Sequence, residues 1–283
     1  MTGLLGIPLG SPGSGRARYG RAMALFRDGR ISAAQLEAYR TAAASDSQPP
    51  GAEFAARGLP LPADPAPGPE AAIRALVDAV DGYLATLPGP GVAEVRAGLA
   101  AARGGPVTPA APAPQTVRDS HLPAALEALS TTHPSLADAI ATAAPHLGWV
   151  TYDRYDPALI GEAFRQGHAF ASVIGGGAAL PAHDFDLGLF LIAPHFLYRD
   201  HHHPAPELYA PLTGPHGWRF GPGRPLVEKP AHVPVWNTAN RPHATKVGAV
   251  PFLCLFGWTR DVDLAAEVIL AGDWAELEAL RLG

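Results

Sequence analysis

Hydrophobic positions in the first half of the chain follow a helical rhythm. Ile73, Leu76, Val77, Val80, Tyr83, Leu84 and Leu87 recur at three- and four-residue spacing after Pro69, which places them on one stripe that must be buried. Upstream, Ala17 to Arg27 reads as a helix stopped by Asp28-Gly29. Ser32, with Gln35 three positions later, forms a capping box that opens a second helix through Ala44. Shorter helices are expected at Leu122 to Ser130, Pro134 to Ala143 and Pro157 to Gln166. Two connectors, Gln48 to Pro69 and Gly104 to Pro114, are so rich in Pro, Ala and Gly that both read as loops without helix or strand.

The pattern changes near Gly167. Segments rich in β-branched and aromatic residues then alternate with Gly and Pro turns: Ala169 to Ile174, Phe185 to Ala193, Phe196 to His203, Glu207 to Leu212, Trp218 to Phe220, Val233 to Asn237 and Phe252 to Trp258. Strands at that spacing predict a sandwich or barrel. The tail from Val262 to Leu282 reads as helix again, with Leu264, Val268, Trp274, Leu277 and Leu280 as its apolar residues. The expected class is therefore α+β, with a helical region over 1–150, a β-barrel over 151–260 and a C-terminal helix over 261–283. No solenoid repeat is evident.

Charge and composition narrow the function. A formal net charge of −5, and 21 basic residues of which only Lys229 and Lys246 are lysines, give no clustered basic run, so no nucleic-acid partner is expected. The Ala-rich, Arg-over-Lys usage points to a bacterial genome of high GC content. No apolar run reaches the roughly 18 residues of a membrane span. The opening Met-Thr-Gly-Leu-Leu-Gly lacks the basic and apolar regions of a leader, so no membrane association and a cytoplasmic location are expected. Cys254 is the only cysteine and sits among apolar neighbours, which suits a buried, inert thiol.

The chemistry concentrates between Tyr198 and Tyr209. On a strand His201 and His203 share a face while His202 takes the other, and Pro204 and Pro206 bracket a turn. Glu207 and Tyr209 then share a face on the returning strand. With the distant His243, three imidazoles and a carboxylate make a mixed nitrogen and oxygen site for one divalent transition metal, and Fe, Mn, Co, Ni and Zn all suit it. His195, His216 and His232 have no partner pattern and read as surface or turn histidines. Gly175 to Gly177 lacks a following helix and reads as a turn rather than a phosphate loop. Asp119, Ser120 and His121 have the residue types of a hydrolase triad, but sequence neighbours do not make its geometry.

His201, His203, Glu207 and Gly214 match the first motif of the cupin superfamily, with His195 in place of its leading glycine. The second motif survives as His243, with Thr238, Asn240 and Val247 at its Pro, Gly and Asn positions. The run from Phe185 to Pro194, then Tyr198, His201, His203, Glu207, Tyr209 and the Arg241-Pro242-His243 segment, resembles the cupin-type dimethylsulfoniopropionate (DMSP) lyases over about residues 165 to 260. That resemblance implies a helical part ahead of a jelly-roll type barrel, with His201, His203, Glu207 and His243 as metal ligands and a catalytic tyrosine in the Glu-x-Tyr pair. It implies β-elimination from a small carboxylate, with loss of dimethyl sulfide and formation of acrylate.

The residues support this chemistry independently, because a cation acidifies the α-carbon of a bound carboxylate and favours the phenolate of a neighbouring tyrosine. Tyr209 is the candidate base. Tyr198 is the second candidate or a substrate-orienting hydroxyl, reaching the face only if a bulge near Arg199 and Asp200 distorts the strand. Trp236, Trp258 and Phe190 are candidate faces for a cationic substrate group. The helical region is expected to cover the barrel and to offer a homodimer surface. A cupin oxygenase or isomerase, a non-catalytic small-molecule binder and a purely structural metal site remain as alternatives.

Overall fold

The computed structural model describes Ile7, residues 9–62 and residues 67–282. The opening Met1 to Gly6, read above for a leader, and residues 63–66 of the first connector lie outside the described residues. The chain divides into two compact units, Met1–Ala66 and Pro67–Gly283.

The first unit holds α1 (Ser14–Arg27), α2 (Ala33–Ala42) and α3 (Pro50–Ala56). The capping box forms as expected: the Gln35 amide donates to Ser32 Oγ (3.2 Å), and the Ser32 amide donates to Gln35 Oε1 (2.8 Å). Helix α3 corrects the reading of the first connector as pure loop. Pro50 occupies its first turn, where a missing N–H is harmless, and Phe54 provides the anchor, buried edge-on to Tyr39 at 5.1 Å.

The second unit begins with α4 (Pro69–Leu84), α5 (Val92–Ala102), α6 (Thr116–Ser130) and α7 (Pro134–Ala143). Ile73, Leu76, Val77, Val80, Tyr83 and Leu84 are all buried, and the second connector is non-helical as expected. Helix α5 was not visible in the apolar pattern, because its buried face needs only Val92, Val95 and Leu99. The expected helix over Pro157 to Gln166 splits into α8 (Pro157–Ile160) and α9 (Glu162–Gly167). The break is Gly161, whose φ of +86° suits glycine and whose Cα faces the Arg199 guanidinium.

The strands are β1 (His168–Gly175), β2 (Leu180–Pro181), β3 (Asp186–Ile192), β4 (Leu197–His202), β5 (Glu207–Pro211), β6 (His216–Arg219), β7 (Val227–Lys229), β8 (Val235–Asn237), β9 (His243–Lys246), β10 (Phe252–Trp258) and β11 (Glu267–Val268). All seven expected segments are strands; the additional ones are four residues or shorter, too brief for alternation to register. They form a six-stranded sheet in the order β2-β1-β3-β10-β5-β8 and a five-stranded sheet in the order β11-β4-β9-β6-β7. Two sheets of this size fit the jelly-roll type barrel expected from the sequence. The expected tail helix is shorter than its apolar residues suggested: Val268 pairs with His201 at the edge of β4, and helix resumes only as α10 (Trp274–Ala279).

Strand alternation sorts the six-stranded sheet into two environments. Ala169, Leu187, Leu189, Leu208, Ala210 and Leu253 face outward into one core shared with α4, α5, α6 and α7. Phe190, Tyr209, Phe252, Cys254 and Phe256 face inward, toward Tyr198 and Trp218 of the other sheet. Cys254 is buried as expected. Among the described residues no helix is long and apolar enough to cross a membrane.

His216 corrects the reading of it as a surface or turn residue. It is buried in β6, where its Nδ1 accepts from the Gly248 amide and its Nε2 faces Thr213 Oγ1. His195 and His232 do sit in turns, at φ of +67° and +65°.

Two predictions follow from the packing. Leu76→Ala removes a fully buried side chain between helix and sheet, and should destabilise the protein by about 2–5 kcal/mol in chemical denaturation. The second concerns His168 and His216, whose burial pushes their imidazoles down to about 4 and about 3, outweighing hydrogen bonds to Phe164 and Thr213 that act the other way. Below about 6.5 the unfolded chain binds protons that the folded chain refuses, so stability should fall as pH drops from 6.5 toward 4. His168 alone contributes about 3 kcal/mol to that loss once protonated. A denaturation midpoint that stays constant between pH 6.5 and 4 contradicts the assignment.

Candidate metal centre and cavity

Antiparallel pairing of β4 with β9 sets His201 directly opposite His243, with ring centroids 4.1 Å apart. His203 follows the end of β4 and brings its ring to 5.2 Å from that of His243. One ligand atom from each of His201, His203 and His243 lies within 4.8 Å of the others, and all three residues are buried. This triad can hold a metal ion.

The tautomers are dictated by backbone carbonyls, which can only accept. His201 Nδ1 donates to the Arg199 carbonyl (2.8 Å), His203 Nδ1 to that of Ala205 (2.8 Å) and His243 Nδ1 to that of Arg241 (2.9 Å). Every Nε2 is therefore left with a lone pair, the form in which imidazole binds a metal. Those of His201 and His243 are buried without a hydrogen-bond partner.

Glu207, on β5 of the facing sheet, turns its carboxylate into the same space. Its Oε2 lies 3.1 Å from His203 Nε2 and 3.4 Å from His243 Nε2, while Oε1 accepts from Trp258 Nε1 at 2.8 Å. A carboxylate facing imidazole lone pairs is repelled unless positive charge lies between them, so this donor set fits a cation. Burial pushes the Glu207 carboxyl up, but positive charge placed at His203 and His243 outweighs it and holds the group well below the usual carboxylate range; a cation held between neutral imidazoles would act in the same direction. Burial, followed by the neighbouring His243 and His203, pushes the His201 imidazole well below its ordinary value.

Two of the motif departures noted in the sequence keep a backbone that glycine favours. His195 and Asn240, standing where the cupin motifs carry glycine, both adopt left-handed backbone, at φ of +67° and +59°. Gly214 is retained for space: a Cβ there would sit 2.5 Å from the Ala231 amide nitrogen.

Beside Glu207 lies a cavity of about 450 Å³. Glu207, Tyr209, Tyr198, Phe190 and Trp258 all line it. Tyr209 shares a face with Glu207, and its ring centroid is 6.0 Å from that of His243. Burial, then the Glu207 carboxylate, pushes its hydroxyl well above the ordinary value. The register of β4 shifts between Tyr198 and His201, at the position of the bulge that Tyr198 requires to reach this face. Tyr198 stacks on His201 at 3.9 Å, and its hydroxyl is 2.5 Å from that of Tyr155.

Trp236 does not join the cavity and is corrected. It pairs with Leu208, so the pleat turns it to the outer face, where its ring lies against Gly91 at the start of α5. Asp119, Ser120 and His121 occupy successive positions of α6 and point in different directions.

Sequence reasoning missed the cover of the cavity. Tyr152, Asp153, Arg154 and Tyr155 line it from a segment without periodicity, so only their aromatic and charged character could have drawn notice. The segment is tied down where the Tyr152 amide donates to His168 Nε2 (3.0 Å) and Val150 bridges to Phe170.

Comparison with known proteins converges on one group. The family profile described as dimethylsulfoniopropionate lyase matches residues 109–254. A chain from the crystal structures of the DMSP lyases RdDddP and RnDddQII superposes with a TM-score of 0.56 at 20% identity, covering 72% of this chain and 100% of that one. The DMSP lyase DddQ from Ruegeria pomeroyi DSS-3 superposes with a TM-score of 0.52 at 23% identity, over 71% of this chain and 96% of that one. At these identities the two likenesses establish the fold. No curated protein matches the sequence. Because the profile spans more than half of the chain, this protein belongs to the dimethylsulfoniopropionate lyase family.

Proposed function

We propose that the protein is a metal-dependent carbon–sulfur lyase that eliminates dimethyl sulfide from DMSP, or from a close carboxylate analogue, and releases acrylate. The observation that carries this reading is a buried triad of imidazole lone pairs facing Glu207, which together with Tyr209 also lines one aromatic cavity. His201, His203, Glu207 and His243 are the residues that would hold the ion. A divalent cation there supplies Lewis acidity toward the substrate carboxylate and offsets the negative field that keeps the Tyr209 phenol protonated.

Tyr209 is the base in this reading. It stands two residues after Glu207 on the same face, and Phe190, Trp218 and Phe252 fix its ring. It takes the α-proton, the C–H electron pair forms the double bond, and sulfur departs with the C–S pair as a neutral sulfide. Tyr198 is the weaker candidate because its hydroxyl is already engaged by Tyr155. It positions His201 by stacking and presents an edge to the substrate. Phe190 and Trp258 provide apolar walls that exclude water from the carbanionic transition state.

Headspace dimethyl sulfide and acrylate, measured after incubating metal-loaded protein with DMSP, test the activity directly. Oxygen consumption with Fe(II) and a small carboxylate, without sulfide release, would instead indicate an oxygenase. The purified protein is expected to carry close to one equivalent of a first-row divalent metal, with occupancy falling sharply in His243→Ala. Full occupancy in a variant lacking both His203 and His243 would place the ion elsewhere. Tyr209→Phe should retain its metal and lose activity by a factor of about 10² to 10⁴ or more. Tyr198→Phe should lose less; the reverse order, with metal quantified in the same preparations, would move the base to Tyr198.

A further inference from the structure

Asp186 is a half-buried acid that the proposed elimination does not use. It opens β3 and lines the same cavity as Glu207. Its Oδ2 accepts from Ser172 Oγ at 3.0 Å, whereas Oδ1 lies covered against Gly175 without a hydrogen-bond partner, so a ligand would meet the acid through its charge. Among the described residues no Arg, Lys or His side chain forms an ion pair with it. Burial pushes the carboxyl up to about 6, with the Ser172 hydrogen bond opposing. A poorly solvated carboxylate without an ion-pair partner is destabilising, and at a cavity wall it is a candidate for interaction with a ligand.

Its place in the sheet relates it to the metal centre. Trp258 of β10 is the direct cross-strand partner of Glu207 on one side and of Asp186 on the other. Directly opposed residues share a face, so Glu207, Trp258 and Asp186 form one inward row across three strands. At the usual inter-strand spacing its two ends are about 10 Å apart. One end meets the imidazole triad, the middle is an indole, and the far end is an unpaired acid.

The neighbouring position inward along β3 is Gly188, where a Cβ would lie 2.7 Å from the Phe256 ring. Its missing side chain lets Phe256 lie across the sheet beside Asp186, edge-on to Phe170 at 6.1 Å. The acid is thereby bordered by Trp258, Phe256 and Phe170, all of which line the cavity.

We infer that Asp186, with the faces of Trp258, Phe256 and Phe170, forms a cation subsite that selects substrates bearing an onium group at the end opposite their carboxylate. The inference rests on the proposed reading that the substrate carboxylate lies at the His cluster. In a β-onium propionate the charged atom is roughly 4 Å from the carboxylate carbon. With the carboxylate beside Glu207, the onium group falls over Trp258, between the two ends of the row. Aromatic faces attract such a cation without competing for it, and Asp186 adds a full opposite charge in a poorly solvated place. A neutral isostere gains the same apolar contact but leaves the acid unpaired, so the site discriminates by charge rather than by shape. Arg154, on the covering segment, lines the same cavity but forms no ion pair with Asp186.

The test uses two unreactive ligands of nearly equal shape, 3-(trimethylammonio)propionate and 4,4-dimethylpentanoate, titrated calorimetrically into metal-loaded protein. Wild type should bind the cationic ligand at least about tenfold more tightly than the neutral one, the equivalent of a single well-placed charge pair. Asp186→Asn should lose most of that preference through weaker cation binding, with 4,4-dimethylpentanoate affinity and metal content unchanged. Equal affinities in wild type overturn the inference without recourse to any variant, as does an undiminished preference in folded Asp186→Asn. Sulfide release from DMSP is measured separately. Charge selectivity that depends on Asp186 in a protein releasing no sulfide would refute the lyase reading and leave the subsite standing. Sulfide release with an unchanged KM in Asp186→Asn would do the opposite.

Discussion

Three Nδ1–H groups donated to backbone carbonyls determine the state of the whole site. Each of His201, His203 and His243 bonds the carbonyl of a residue two positions away, so ring orientation and tautomer follow from the local backbone rather than from distant packing. The lone pairs that remain converge on one another and on Glu207. Such an arrangement is electrostatically unfavourable unless a cation is bound, which couples metal binding to the order of three strands, β4, β5 and β9.

The strands that present these rings are held from behind. Arg219 on β6 is buried and bonds Asp200, the residue before His201, as well as Asp273 ahead of α10; the Trp274 indole also donates to Asp200. Arg199 bonds Glu278 and lies over the Trp274 ring at 4.6 Å. The short terminal helix thus closes an ionic clasp on the outer face of β4, where removing one member would leave a buried charge unpaired. On the inner face, His168, Phe164, Tyr198 and His201 form a column of near-parallel rings at 4.0, 4.2 and 3.9 Å. Two unlike forces, ion pairing behind and ring stacking in front, restrict the same stretch of strand.

The six-stranded sheet separates stability from chemistry by its pleat alone. Outward aliphatic residues share one core with the helices, including the α4 stripe, and inward aromatic residues build the cavity. A substitution on one face of β3 or β10 therefore acts mainly on folding, and its neighbour on the other face mainly on ligand recognition.

Much of this was legible from residue pattern. Period 3.6 located α4, period 2 located the longer strands, and the spacing of His201, His203, Glu207 and Tyr209 defined one inward face because strand alternation is a local steric rule. Even the bulge before His201 was demanded by the odd separation of Tyr198. Other features depended on the partner across the fold. Trp236 turned outward because β8 pairs through Leu208, His216 was buried because β6 lies between β7 and β9, and the tail became strand because the edge of β4 was open to it. The aperiodic cover at Tyr152 to Tyr155 and the row from Glu207 through Trp258 to Asp186 belong to the same class. The sequence by itself determined which side chains share a face within one element, since that follows from backbone geometry over a few residues. Only the tertiary structure decided which faces meet, since strand order and register are set by hydrogen bonds and burial between segments far apart in the chain.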